Sequence, residues 1–498
     1  MVSAARGVSY LWLYVIVSSL AKIVAFAFFA RLISVSEMGV FAILNLAYAG
    51  ASALGGLGLS SVVTKFVAED IAQGKKEEAA SVYYKSLLLS ELAYILVAAG
   101  FLLSKFPAGV SNLPNSPLIS AISILFAIDV VASFGPIAAV FYGLLEFRGY
   151  ALINVVYASV RPFMVVLFVY ETGSLVGMVE AWVISDAVLA AYFFVYLWRR
   201  LGPPVFRFST KYLLKLSSPL YLAGLASFLY GSFDQLTLIP LVSLSALGVY
   251  GAAITAFTAY MGLINMLASV LLPVFSGVYG VKGPEGLGDS IRTASRYVSI
   301  VAMPMAFALL AIARPALTLF VGGAYQSGAI PLAVLALGSI ASIIALALGP
   351  VLIILNETTL AALASIIPLS LSVAVAFISI PMLGIVGASI ARALSMLLSL
   401  LLTWYFVRRK ITIKLDFRAI LKSVLASGAM ALVMEALQLL YYSRFLLPVY
   451  VLVGLLVYLL GMRALKAVGT ADIDLLRRTL GPRFSGVCDP LSRLVVPQ

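Results

Sequence analysis

Residues 32–41 read LISVSEMGVF, and residues 241–250 read LVSLSALGVY. Five of the ten positions are identical at an offset of 209: Leu32/Leu241, Ser34/Ser243, Ser36/Ser245, Gly39/Gly248 and Val40/Val249. A second match stands at an offset of 210, where Leu175-Val176-Gly177 and Ile385-Val386-Gly387 each open an apolar run. Those runs end alike, in Trp198-Arg199-Arg200 and Arg408-Arg409-Lys410. Two matches in register, one toward each end of a repeating stretch, mark an internal duplication rather than a chance likeness of apolar segments.

Each half is read as a set of membrane-spanning helices. Of the 498 residues, 63% are hydrophobic and 11% charged, whereas a soluble domain carries about a quarter charged residues. So few charges cannot cover a water-facing surface. A span needs about 20 apolar residues. Fourteen runs qualify: 8–33, 39–64, 82–104, 118–143, 150–170, 174–198, 213–240, 246–276, 294–320, 329–355, 359–381, 384–407, 418–440 and 445–463. The first is too long for the apolar core of a cleaved signal peptide and is taken as an uncleaved helix. With the N-terminus inside, 26 of the 33 Lys and Arg residues fall in inner segments or at the inner ends of runs, four in outer segments or at outer ends, and three, Lys22, Arg161 and Arg392, deeper within spans. That asymmetry follows the positive-inside rule. It predicts a multi-pass protein of the cell membrane with both termini cytoplasmic. The inner basic loops also suit the anionic headgroups of membrane lipids.

The expected fold is all-α: about fourteen transmembrane helices in two pseudo-twofold-related six-helix lobes, plus two C-terminal helices. The N-terminal lobe spans 1–200, a cytoplasmic linker 201–212 and the C-terminal lobe 213–410. The two extra helices span 411–465, and a cytoplasmic tail 466–498. Six is even, so both lobes enter the membrane from the same side. The repeat is then parallel, about an axis along the membrane normal, as in transporters that place a site between lobes.

Several functions are excluded at once. There is no histidine and one cysteine, Cys488, so no metal site, cofactor site or disulfide framework is expected. No Gly-x-x-x-x-Gly-Lys-Ser/Thr motif is present to bind a nucleotide phosphate. The longest outer loop, 105–117, is too short for the acceptor domain of a membrane-embedded glycosyltransferase, polymerase or ligase. The chain is not expected to be an enzyme or to bind nucleic acid. Its energy would come from ion coupling, the membrane potential or the substrate gradient.

Ionisable residues inside spans cost at least a few kcal/mol and point to function. Lys22 lies about 21 Å into the first helix, at about 1.5 Å per residue. A lysine at that depth suits an anionic substrate in a wet cavity, or else a structural ion pair, although no acidic residue near it in sequence offers itself. Arg161 and Asp186 stand at the same depth on consecutive antiparallel helices and are expected to pair. Asp234, on the seventh helix, is expected either to bind a coupling cation, Na+ or H+, or to pair with Arg31 at the top of the first. Asp129 on the fourth helix and Arg392 on the twelfth are secondary candidates. Glu91 and Glu435 sit nearer helix ends.

The stretch Phe29-Ala30-Arg31-Leu32-Ile33, followed by Glu37-Met38-Gly39-Val40-Phe41, resembles the first outer turn of the polysaccharide flippases. So do Leu57-Gly58-Leu59 with Thr64-Lys65-Phe66-Val67-Ala68, and Leu319-Phe320-Val321-Gly322-Gly323-Ala324-Tyr325. The chain thus resembles the polysaccharide and oligosaccharide flippases of the multidrug/oligosaccharidyl-lipid/polysaccharide (MOP) superfamily over nearly its whole length. The resemblance implies two six-helix lobes around a cavity lined by helices 1, 2, 7 and 8. It implies cationic residues that handle the phosphate or diphosphate of a polyprenyl-linked glycan, and glycan-assembly enzymes as partners. Lys22, Arg31 and Asp234 fall on those helices, and Arg161 and Arg392 do not. The alternatives are a cation-coupled multidrug antiporter of the same superfamily, for which the basic first helix is a poor match, a lipid II flippase, and a non-transporting scaffold.

Overall fold

The computed structural model describes residues 19–103, 117–132, 137–144 and 146–467. The start of the first run, the loop 104–116, Pro136, Cys488 and the tail from 468 lie outside the described residues. Among the described residues all regular structure is helical.

Eleven of these helices are long and apolar enough to cross a membrane. The difference from fourteen runs has three local causes. The first helix, α1, is described only over 19–32. The fourth run is divided into α5 (Pro117–Ala132) and α6 (Ile137–Gly143). The eighth and ninth runs are two helices that follow each other across a kink with no loop between them, and together they make the 77-residue helical stretch α10 (Leu244–Phe320). A straight helix of that length would measure about 115 Å against a hydrocarbon layer of about 30 Å. It therefore turns back, and the non-helical residue is Gly283 (φ 63°, ψ −155°).

Other expected single spans are also broken. The second is α2 (Val35–Gly55) and α3 (Leu59–Ala72). The tenth is α11 (Ala329–Leu346) and α12 (Gly349–Ile354), with Pro350 in the first turn of α12, where its missing N–H costs nothing. The remaining helices are α4 (Lys76–Leu103), α7 (Phe147–Thr172), α8 (Leu175–Leu201), α9 (Thr210–Leu238), α13 (Thr358–Leu383), α14 (Ile385–Arg408), α15 (Phe417–Leu440) and α16 (Leu447–Ala464).

The chain divides into two compact units, Met1–Gly248 and Val249–Gln498. In the first, α3, α4, α6, α8 and the start of α9 share a core that includes Val63, Tyr83, Phe141, Leu197 and Leu213. In the second, α10, α12 and α14 share Phe275, Leu287, Ile291, Leu348 and Val407. There α15 and α16 dock on α10 through Ala311, Met430, Met434 and Tyr458. The Tyr458 hydroxyl donates to the Ile300 carbonyl at 2.7 Å.

The repeated motif at residues 32–41 has a physical cause at most of its identical positions. Ser34 caps α2: its Oγ accepts from the Glu37 N–H at 3.2 Å, and the Glu37 carboxylate accepts from the Ser34 N–H at 2.8 Å. This reciprocal box satisfies two donors that the helix itself leaves open. Ser243 accepts from the Ala246 N–H at 3.3 Å at the start of α10, with Ala246 where Glu37 stands, so the return bond is lost. Ser36 and Ser245 bond to each other, hydroxyl to hydroxyl, at 2.8 Å. The place a Cβ would take at Gly39 is filled by the Leu244 carbonyl oxygen, and that at Gly248 by the Val35 carbonyl oxygen. Adding 209 to Gly39 and Val35 gives Gly248 and Leu244. The contact is therefore self-complementary, all of it within the first unit.

The second motif also packs alike in each unit. Gly177 lies on the Phe168 carbonyl and Gly387 on the Ser379 carbonyl. The preceding turns pass through Gly173 (φ 63°) and Gly384 (φ 57°), a left-handed region open to glycine at little cost. Glu146, leading into α7, holds Arg200 at 2.6 Å; Glu357, leading into α13, holds Lys410 at 2.5 Å. Further on, Arg207 meets Glu77 at 3.3 Å and Lys414 meets Asp289 at 2.7 Å. Ser81 Oγ accepts from the Phe208 N–H, and Ser295 Oγ from the Asp416 N–H. The segment after α8 and the segment after α14 are thus tied down by equivalent bonds between different residues. Exposed pairs of this kind contribute at most about 1 kcal/mol. Glu77→Gln and Asp289→Asn are each expected to leave the thermal unfolding midpoint nearly unchanged. A drop of many degrees in either would mean the strap carries the unit's stability.

Candidate functional site

Two buried carboxylates of the first unit's spans, Asp129 and Asp186, converge on Arg161. Helical spacing places its neighbours. Tyr157 and Arg161 are four apart on α7, and Trp182 and Asp186 four apart on α8, so each pair shares a face. Arg161 Nη2 contacts Asp186 Oδ2 at 3.1 Å and lies 4.0 Å from Asp129 Oδ2 of α5. The Tyr157 hydroxyl donates to Asp186 Oδ1. The guanidinium carbon lies 5.2 Å from the Trp182 ring, 5.8 Å from Tyr157 and 5.9 Å from Tyr48 of α2. These are cation–π distances. The aromatic wall continues from Trp182 to Phe41 and Phe29, with ring centroids 6.3 and 4.8 Å apart in turn.

Burial divides this cluster into a sealed part and a partly open one. The side chains of Asp129 and Asp186 are 0% and 5% exposed, and that of Arg161 is 22% exposed. Both carboxylates are sealed from solvent, and the arginine side chain is partly open. Lys22 of α1 is exposed and stands within electrostatic reach of Arg161. Among the described residues no carboxylate balances Lys22. Two cations within electrostatic reach of each other in membrane-spanning segments repel, and a nearby anion relieves that repulsion. The arrangement can hold a phosphate-like group without any covalent chemistry.

Arg31 is exposed at the end of α1, nine residues beyond Lys22 and thus about 13 Å further along the axis. Asp234 is fully buried in α9. Arg392 is half-buried in α14 of the second unit. Arg161 and Asp186 are brought together, and Asp129 joins them. Sequence reading left Asp129 isolated and missed Tyr48, Tyr157 and Trp182. The spacing of four between Tyr157 and Arg161 and between Trp182 and Asp186 was the available signal.

Comparison with known proteins gives these arrangements a context. The family described as "Polysaccharide biosynthesis protein" matches residues 28–330. The family described as "Lipid II flippase MurJ" matches residues 239–461. No curated protein matches the sequence. Among solved structures, the lipid II flippase MurJ in an inward closed conformation superposes with a TM-score of 0.71 at 15% identity, covering 96% of this chain and 99% of that one. An inward-facing multidrug resistance transporter of the MATE family, MOP superfamily, gives 0.61 at 16% identity, covering 79% and 94%. A MOP superfamily transporter from Pyrococcus furiosus, whose reversed pocket polarity is described as suggesting a different function, gives 0.55 at 15%, covering 82% and 95%. At such identities the likeness is one of fold: a multi-pass, all-helical membrane fold of the MOP type.

Proposed function

The chain belongs to the polysaccharide biosynthesis protein family, and from that premise we propose that it flips a glycan linked to polyprenyl phosphate or diphosphate from the inner to the outer leaflet. It is a membrane transporter, not an enzyme. The reading is carried by Lys22. A lysine within a span, exposed, without a carboxylate partner among the described residues and within electrostatic reach of Arg161, is costly in a membrane unless an anion visits it. Lys22 and the partly open Arg161 take the phosphate, and the aromatic wall beside them faces the rest of the headgroup. In this reading the chain crosses the membrane fourteen times, in a six, six and two arrangement with both termini cytoplasmic, and works by alternating access. Arg31 serves as a second phosphate contact. Asp234 serves as the coupling-cation site.

A second reading, lipid II itself as the cargo, draws on the match of residues 239–461 to the lipid II flippase family. Both cargoes present a polyprenyl diphosphate to the same cations. One reconstitution tests the pair. Purified protein in proteoliposomes is given a lipid-linked oligosaccharide or lipid II, and outer-leaflet appearance is followed by access of a membrane-impermeant glycan-modifying enzyme. A charge-assisted hydrogen bond is worth about 1.5–3 kcal/mol, so Lys22→Ala is expected to slow flipping roughly tenfold to a hundredfold. Wild-type rates in that variant would remove the phosphate role from Lys22. The cargo moved faster decides between the two readings.

A further inference from the structure

We propose that binding of an anionic headgroup at Lys22 and Arg161 is linked to proton uptake by the Asp129 and Asp186 carboxyls. The inference rests on the anion site proposed above. Arg161 is held between two kinds of neighbour. Against it are Asp186 at 3.1 Å and Asp129 at 4.0 Å, from α8 and α5. Within electrostatic reach of it is Lys22 of α1. The remaining titratable groups around the carboxylates are Tyr157 of α7, bonded to Asp186, and Tyr48 of α2, beside the guanidinium. Tyr48 is in turn faced by Tyr94 of α4, next to Glu91 on the same helix. Arg161 is the cation that acts on Asp129.

Lys22, Arg161, Asp129 and Asp186 carry no net charge together when all four are ionised. A phosphate or diphosphate brings negative charge to Lys22 and competes for the same guanidinium. What it takes from Arg161 is lost to two neighbouring carboxylates sealed from water. Two carboxylates sharing a site do not both stay ionised once their cation is drawn away. One proton held between Asp129 and Asp186 restores the balance. Linkage is reciprocal: anion binding takes up the proton, and a fall in pH tightens anion binding, by up to about tenfold per pH unit for one proton.

The test uses the purified full-length protein in detergent, titrated with farnesyl diphosphate by calorimetry in two buffers of different ionisation enthalpy, which counts protons taken up per ligand. The diphosphate itself titrates, so the readout is the difference between wild type and the Asp129→Asn and Asp186→Asn variants, each first checked for a cooperative thermal transition. Wild type is expected to take up about one proton more than Asp129→Asn. That variant should bind more tightly than wild type near pH 8, because a competitor for Arg161 is gone, and should lose most of the gain seen toward pH 6. Equal proton counts and equal pH slopes in wild type and both variants would overturn the linkage while leaving the anion site standing. Failure of wild type to bind the probe at any of these pH values would overturn the anion site, and the linkage with it.

Discussion

Replacing Arg161 with methionine is expected to cost about 3–5 kcal/mol of stability, the loss typical of a buried charge pair deprived of one partner. Methionine keeps most of the length and apolar bulk of the arginine stem, so the loss reports charge rather than packing. Asp129 and Asp186 would be left fully or almost fully buried with no cation against them. The Tyr157 hydroxyl can satisfy one oxygen of Asp186, but a neutral donor does not replace a positive charge. Contacts with Trp182, Tyr48 and Tyr157 would lose their cation–π part, about 0.5–1 kcal/mol or more each. Asp129→Asn should cost far less, because it removes the more distant of two like charges and leaves the Asp186 pair intact. Unfolding of the purified protein in mixed micelles with rising dodecyl sulfate measures the difference. If Arg161→Met unfolds at the wild-type midpoint, the two carboxylates are not held as charges and the electrostatic account of the cluster fails.

Membrane class, duplication and the pairing of Arg161 with Asp186 are all legible in the sequence, because each rests on a period or a depth. A run of apolar residues has a length, the two motifs have an offset, and antiparallel neighbours at equal depth meet. What escapes the sequence has no period. Lys22 and Arg161 are 139 residues apart, and only the packing of α1, α2, α7 and α8 brings them within electrostatic reach of each other. Hydropathy does not register the breaks at Gly56-Leu57-Gly58 or before Gly349, because the residues on either side are equally apolar. It also separates the two halves of α10, because residues 277–292 are rich in Gly and charge, although the chain stays helical there except at Gly283. The straps after α8 and α14 escape for another reason. Glu146 with Arg200 and Glu357 with Lys410 do equivalent work, but the acids and the bases are offset by 211 and 210 residues, and arginine has become lysine. Conserved geometry with exchanged residues leaves little trace in a comparison of letters.

The other large effect is expected at Gly39 and Gly248, where the sign of the change is the diagnostic. Glycine inside a helix ordinarily costs about 1 kcal/mol relative to alanine, so Gly→Ala is normally stabilising. At Gly39 the added methyl group would fall on the Leu244 carbonyl oxygen, and at Gly248 on the Val35 carbonyl oxygen. A backbone carbonyl cannot rotate away as a side chain can, so the starts of α2 and α10 must move apart and the bond between Ser36 and Ser245 must lengthen from 2.8 Å. Overpacking of this kind costs about 1–3 kcal/mol, and with no rotamer to yield the upper part of that range is expected despite the gain in helix propensity. Gly224, inside α9 with nothing within 4 Å of an added Cβ, supplies the contrast: Gly224→Ala should be neutral or stabilising. The two close glycines belong to one contact. Once either substitution has separated the helix starts, the second has less to disrupt, and Gly39→Ala with Gly248→Ala should cost clearly less than the two single losses combined. Strict additivity in such a double-mutant cycle would mean that the repeated glycines act at separate places, and that the match at an offset of 209 does not mark a shared contact.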